Sequence, residues 1–179
     1  LVDPKGKDYS KYKGATLLTP NKKEASEALG FGIDNDESLE LALKTMKLNY
    51  ELEYSLITLS EDGIGLLSDE VKKFPALAKE VFDVTGAGDS VLATLGYCLA
   101  SEMSIEEAID NANLAAAVVV GKVGSADASW GEIENLKSKK IGFERKIVKL
   151  DELLKVDRSG KTLVFTNGCF DIMHIGHIS

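Results

Sequence analysis

The chain has 179 residues, of which 44% are hydrophobic, and its 21 basic and 29 acidic side chains give a formal net charge of −8. This composition is typical of a globular domain, and the acidic balance argues against a general nucleic-acid binder, which needs a basic face. No apolar run reaches the length of a membrane span and the first six residues do not form a signal peptide, so we expect a cytoplasmic location without membrane or nucleic-acid partners.

The first elements are two short strands. Leu1-Val2 reads as the end of one strand, and residues 15–19 form a second apolar strand before Pro20. The lysines between them are interpreted as solvated loop charges. Because the sequence opens inside one element and stops where another helix should begin, we expect it to be a fragment of a longer protein.

A helix follows, opened by Asn21-Lys22-Lys23-Glu24 and ending near Gly30. Asn at the N-cap with Glu three residues later is close to a capping box, and residues 104–107 and 129–132 show similar spacing. The spacing alone therefore predicts a helix cap.

The next stretch predicts a helix and a hairpin. Residues 36–50 carry apolar side chains at helical spacing, which indicates a helix that faces a core. Residues 55–59 form a continuous apolar strand, and Glu61-Asp62-Gly63 is a turn that leads into the apolar run 64–67.

The most informative string is Asp83-Val84-Thr85-Gly86-Ala87-Gly88-Asp89-Ser90, where an extended segment meets a tight turn and then a helical pattern. Glycine lets a ligand approach the main chain, and the first N–H groups of the helix point outward at the positive end of its dipole. These features predict an anion site at Gly86, Ala87 and Gly88. Asp89 beside it could take a proton from a hydroxyl that attacks a phosphoryl group. The alternative is that Asp89 only favours the first helical turn.

A second helical stretch spans 104 to about 121, and a glycine-bearing loop over 121–126 ends it. Two adjacent helices fit a layered α/β domain whose ligands bind at the carboxyl ends of strands. Residues 137–149 hold six basic side chains against one acidic, Glu144, and we interpret them as a solvated linker. A short helix over 150–156 and a strand over 162–166 follow.

The last segment is Asn167-Gly168-Cys169-Phe170-Asp171-Ile172-Met173-His174-Ile175-Gly176-His177. A structural zinc needs four ligands, whereas two imidazoles near a helix N-terminus can donate hydrogen bonds to nucleotide phosphates. The segment from residue 161 is too short to bury a core, so we do not expect it to form a working site by itself.

The string that contains Asp89 closely resembles the signature of the ribokinase (PfkB) family of sugar kinases. The resemblance implies a ribokinase-like layered α/β sheet with flanking helices, and a kinase that uses ATP and Mg²⁺. In it Asp89 would be the catalytic base and the three residues before it the anion hole. A strand followed by Asn-x-x-Glu also matches the family, so that Asn21, Lys22, Lys23 and Glu24 would line the phosphate and magnesium site, Glu24 through metal-bound water.

The same resemblance assigns weaker roles to five further residues. Thr58 and Gly63 would border the nucleotide, although a plain hairpin explains them as well. Asn113 and the loop over 121–126 would surround the adenine, with an ordinary helix stop as the alternative. Asp83 and Thr85 match part of a monovalent-cation site found in some relatives.

The last segment resembles the opening signature of the nucleotidyltransferase superfamily that includes the cytidylyltransferases, and thus the first strand and loop of a Rossmann-like domain. The resemblance implies that His174 and His177 stabilise the transferring α-phosphate. Asn167, Gly168 and Phe170 would shape the nucleotide pocket.

The two signatures in this order resemble a family of bifunctional enzymes that make ADP-heptose for lipopolysaccharide. The resemblance implies phosphorylation of D-glycero-D-manno-heptose 7-phosphate at its anomeric hydroxyl, then adenylyl transfer onto heptose 1-phosphate, by a homodimer of the complete protein. Residues 1–138 would be the C-terminal part of the kinase, 139–160 a linker and 161–179 the start of the transferase.

Two alternatives to this family stay open. One is a different PfkB-family kinase joined to a cytidylyltransferase. The other is a piece that binds nucleotide or dimerises without turnover. We expect the isolated chain to be inactive, because the part of the kinase that supplies most sugar contacts would precede it.

Overall fold

The computed structural model describes residues 1–78, 82–124 and 126–144, and for residues 139–144 the backbone alone. Packing divides the chain into two units, Leu1–Ile133 and Glu134–Ser179. The helices and strands are α1 (Lys22–Leu29), α2 (Asp36–Asn49), β1 (Ser55–Thr58), β2 (Ile64–Leu67), β3 (Val71–Phe74), α3 (Ala87–Ala100), α4 (Ile105–Val120) and α5 (Trp130–Glu144).

The sheet of the first unit is antiparallel in the order β1-β2-β3. Two parallel bridges attach the N-terminal segments, one joining Val2 to Leu18 and the other joining Asn21 to Thr58. The two predicted N-terminal strands therefore meet as a single bridge. The second bridge places the start of α1 at the carboxyl end of β1.

Helices cover both faces of this sheet. Successive strand side chains point to opposite faces, so Ile57 packs with Leu43 of α2 whereas its neighbour Leu56 packs with Leu95 of α3 and Ile109 of α4. All five side chains are buried. The result is the layered α/β arrangement that the sequence predicts.

The helices predicted within the described residues are confirmed, and their ends follow their caps. The side chain of Asn21 and that of Ser104 each form a capping box with the Glu three residues later, at the start of α1 and α4. Helix α1 ends at Gly30, which has the left-handed conformation (φ 78°) common at helix ends.

Two elements go beyond the sequence prediction. Strand β3 was not predicted, because Lys72 and Lys73 interrupt its apolar pattern; it is a partly exposed edge strand. Helix α5 extends to Glu144, so the beginning of the predicted linker is helical. The predicted helix over 150–156 and strand over 162–166 lie outside the described residues. Among the helices that the structure describes, none has the length and apolarity needed to cross a membrane.

Candidate active site

A cleft of about 480 Å³ opens in the first unit where the carboxyl end of β1 meets the starts of α1 and α3. It is lined by residues from five separate parts of the sequence. Six of the residues that the sequence analysis singled out contribute to its wall: Asn21, Thr58, Gly63, Ala87, Gly88 and Asn113.

The first wall of the cleft is the start of α1. The N–H of Asn21 donates to Glu24 Oε2 at 2.8 Å, and the N–H of Glu24 donates to Asn21 Oδ1 at 2.9 Å. The adjacent N–H of Thr58 donates to the carbonyl of Pro20 at 3.0 Å. The predicted cap is thus confirmed, and it holds the Glu24 carboxylate at the first turn. Lys22 and Lys23 are exposed on the same turn.

The second wall is the glycine loop, Gly86 to Gly88, at the start of α3. Gly86 is the N-cap residue and has φ +82°, a left-handed conformation that favours glycine. Within the described residues no side chain caps this helix. The N–H groups of Gly88 and Asp89 in its first turn are therefore available to an anion. A methyl group built on Gly88 would meet no atom of the described chain within 4 Å, so the space beside it is open.

The carboxylate of Asp89 is exposed in the first turn of α3 and does not belong to the cleft wall. The negative charge of Asp89 interacts with the Lys5 ammonium and contributes to the pKa of Lys5. The hydrogen bond from Lys5 to Asp3 raises the pKa of Lys5 most, and the charges of Glu24 and Asp89 raise it further. Asp89 and Glu24, from helices far apart in sequence, therefore share one electrostatic neighbourhood.

The interpretation of Lys5 as a solvated loop charge is confirmed by its exposure, but it did not include this neighbourhood. The Lys5 side chain is 71% exposed, and its ammonium lies 2.7 Å from the Asp3 carboxylate. A signal for it exists in the sequence, because Asp3 follows directly after the first strand, and ligands of α/β domains bind at the carboxyl ends of strands.

Asp83 and Thr85 contact each other in the turn before α3. The Thr85 N–H donates to Asp83 Oδ1 at 2.8 Å, and hydrogen bonds from the Thr85 side chain and backbone lower the pKa of Asp83. This local turn accounts for both residues without an ion, and the monovalent cation stays a prediction. Among the described residues there is no cluster of three or more acidic, His or Cys side chains that could hold a metal ion. A single carboxylate at Glu24 still fits Mg²⁺, which keeps most of its water and takes few protein ligands.

Asn113 and Gly63 both lie close to the segment that follows β3, residues 74–76, which forms part of the cleft wall. Asn113 Nδ2 donates to the carbonyls of Phe74 and Pro75, both at 3.4 Å. A methyl group on Gly63 would lie 2.6 Å from the Ala76 nitrogen. Each residue thus has a structural role beside the nucleotide contact expected of it. Five other predicted site residues lie outside the described part of the chain: Asn167, Gly168, Phe170, His174 and His177.

The chain is similar to long curated proteins. It is 82% identical over 179 residues to "Bifunctional protein HldE" of Campylobacter fetus subsp. fetus, covering 100% of this chain and 39% of that protein. It is 57% identical over 179 residues to the protein of the same name from Campylobacter jejuni, covering 99% of this chain and 38% of that protein. The chain therefore spans about two-fifths of the length of these relatives.

Solved structures share its fold. Arabidopsis thaliana ribokinase, complexed with ribose and ATP, matches with a TM-score of 0.63 and 24% identity over 67% of this chain and 40% of its own. Escherichia coli phosphofructokinase-2, complexed with potassium, matches with a TM-score of 0.65 and 17% identity over 73% and 42%. A family model described as "pfkB family carbohydrate kinase" matches residues 1–131. The chain therefore belongs to the pfkB family of carbohydrate kinases and has its ribokinase-like α/β fold.

Proposed function

We propose that this chain forms the phosphate and nucleotide side of a kinase site that transfers a phosphoryl group from ATP to the anomeric hydroxyl of D-glycero-D-manno-heptose 7-phosphate. The supporting observation is a single cleft lined both by the start of α3 at Ala87 and Gly88, which has no side-chain cap within the described residues, and by the capped start of α1 at Asn21. The N–H groups at a helix start can donate hydrogen bonds to the oxygens of a transferring phosphoryl group and so stabilise the negative charge that develops there.

In this proposal the exposed Asp89 takes the proton of the attacking hydroxyl. Asp89 is exposed and follows Gly88 of the cleft wall directly in sequence, so its carboxylate could contact a sugar bound beside the glycine loop, whereas one packed in the core could not. Lys22 and Lys23 place positive charge where phosphates would bind. Mg²⁺, when bound, neutralises phosphate charge, and Glu24 would hold one of its water ligands.

The nucleotide would extend from the glycine loop along the cleft wall formed by Thr58, Gly63 and Asn113. These three residues line one continuous space with Gly88. The turn formed by Asp83 and Thr85 would accept a monovalent cation next to the glycine loop; a solved relative of the same fold carries potassium.

We further propose that the complete protein is bifunctional, as the names of its relatives state of them. The strand and loop after residue 161 would begin a nucleotidyltransferase domain, in which His174 and His177 stabilise the α-phosphate during adenylyl transfer onto heptose 1-phosphate. The product, ADP-heptose, would serve lipopolysaccharide core synthesis in the cytoplasm. The domain bounds 1–138, 139–160 and 161–179, and the homodimer, belong to this proposal.

The proposal is tested by supplying the complete protein with heptose 7-phosphate and following the products by mass spectrometry and ³¹P NMR. ATP should yield the 1,7-bisphosphate, and supplied heptose 1-phosphate should yield ADP-heptose. Fructose 6-phosphate serves as the control acceptor. Faster phosphorylation of fructose 6-phosphate, or a preference for CTP in the second step, would replace this proposal with that of another kinase joined to a cytidylyltransferase.

The dual role of Glu24, as cap and as magnesium ligand through water, predicts a difference between two matched variants. Glu24→Gln and Glu107→Gln each keep an oxygen that can complete a capping box, so each should cost less than about 1 kcal/mol of stability. Only Glu24→Gln should lower kcat for sugar phosphorylation, by about 10–100-fold, and raise the Mg²⁺ concentration required, because an amide orders a metal-bound water less well. Equal kinetics for the two variants would leave Glu24 with the cap alone.

A further inference from the structure

A second loop lies beside the chain that leads into the glycine loop. We call residues 120–124 and 126–132 the support segment. The carbonyl of Val120 accepts hydrogen bonds from the N–H groups of Phe82 at 2.8 Å and Asp83 at 3.4 Å. The carbonyl oxygen of Ala126 would lie 3.8 Å from a methyl group built on Gly86. The support segment therefore bonds to the chain on the approach to α3, and its Ala126 carbonyl lies near the N-cap residue.

Lys122 contacts two separate residues of the support segment. Its ammonium donates to the carbonyl of Asp127 at 2.7 Å and lies 2.8 Å from Glu132 Oε1. Glu132 Oε2 in turn accepts from the Ser129 N–H at 2.9 Å and the Ser129 hydroxyl at 2.8 Å. One cation thus joins the loop carbonyl next to Ala126 to the first turn of α5.

The Glu132 carboxylate is ionised over the whole physiological range. The hydrogen bond from Lys122 is the largest cause that lowers the pKa of Glu132 to about 2, followed by those from Ser129. The two side chains are 34% and 42% exposed, and exposed pairs contribute little to global stability. The consequence of this pair is therefore local, in the loop between its two residues.

We propose that Lys122 is a positioning residue for phosphoryl transfer, because its contacts with Asp127 and Glu132 hold the Ala126 carbonyl in place beside Gly86. Gly86 sets the direction of the first amides of α3, and no side-chain cap fixes them within the described chain. A small displacement of a group that stabilises the transition state lowers the rate strongly. The inference rests on the proposed kinase function, since it assigns the glycine loop to the transferring phosphoryl group.

The test compares Lys122→Met with Lys44→Met in the complete protein. Lys44 also forms an exposed ion pair, with Glu40 one turn away on α2, and it does not line the cleft. Lys122→Met should lower kcat with heptose 7-phosphate and ATP by about tenfold or more, with KM for the sugar phosphate changed less than about twofold. It should also speed amide hydrogen exchange in residues 82–90, and Lys122→Arg should restore both. Lys44→Met should match the wild type in each measurement.

Three outcomes distinguish a failure of the role of Lys122 from a failure of the kinase proposal. A Lys122→Met variant with wild-type exchange at residues 82–90 overturns the positioning role whatever the activity. A variant that melts at a lower temperature but keeps its kcat assigns Lys122 a purely structural role and overturns the inference. If the wild type does not phosphorylate the sugar at all, the kinase proposal fails, and the exchange measurement still decides whether Lys122 positions the loop.

Discussion

Asp89→Asn is expected to lower kcat for sugar phosphorylation by about 10²- to 10⁴-fold, the range that general-base catalysis contributes. The amide has nearly the shape of the carboxylate but cannot take the proton of the attacking hydroxyl. Asp89 is exposed, so the substitution disturbs no core packing. Initial rates with heptose 7-phosphate and ATP measure the effect, and adenylyl transfer from supplied heptose 1-phosphate should stay at the wild-type rate.

Asp36→Asn is the matched control for the other interpretation of Asp89. Asp36 is also an acidic residue in a first helical turn, that of α2, and it forms an ion pair with Lys73 at 2.7 Å. Both variants remove a favourable interaction with a helix dipole, worth about 0.3–1 kcal/mol. Only Asp89→Asn should affect the kinase. If Asp89→Asn retains wild-type kcat, or if both variants reduce it alike, Asp89 serves the helix alone.

The parts of the fold that the sequence predicted are those with a local chemical signature. The cap formed by Asn21 and Glu24 was predicted because both partners lie within four residues. Helices α2, α3 and α4 were predicted because their apolar side chains repeat at helical spacing. Strand β3 lacks such a signature, since Lys72 and Lys73 interrupt its apolar pattern and its pairing with β2 is set by the tertiary structure.

The candidate site likewise has parts that the sequence predicted and parts that it did not. The glycine loop and Asn21 belong to recognisable strings, and the structure brings Gly88 and Asn21 to one cleft. The contact of Lys122 with Glu132 was not predicted, because nothing in the sequence of a loop specifies which charges will meet. The contact of Lys5 with Asp3 was not predicted either, although Asp3 follows directly after the first strand. Gly63 was assigned to the nucleotide, but the sequence could not show that the exit of β3 passes so close to it.

Gly63→Ala is expected to lower the free energy of unfolding more than the other substitutions, because residues 74–76 pass so close to Gly63. Gly63 has φ 94° and ψ −126°, a combination that side chains strongly disfavour. A methyl group there would collide with the carbonyl of Phe74 and lie 2.7 Å from the Pro75 carbonyl carbon. Backbone strain and forced displacement together should cost about 3 kcal/mol or more of the free energy of unfolding. Urea unfolding followed by circular dichroism measures this loss.

Gly14→Ala separates strain from collision. Gly14 also has a positive φ, of 80°, but a methyl group on it would meet no described atom within 4 Å. Its substitution should cost only the strain of the left-handed conformation, about 1–2 kcal/mol. The difference between the two variants therefore measures the contact with the β3 exit. A Gly63→Ala variant as stable as Gly14→Ala, yet unable to bind ATP, would instead show that Gly63 is required by the nucleotide and that the chain from Phe74 to Ala76 can move aside.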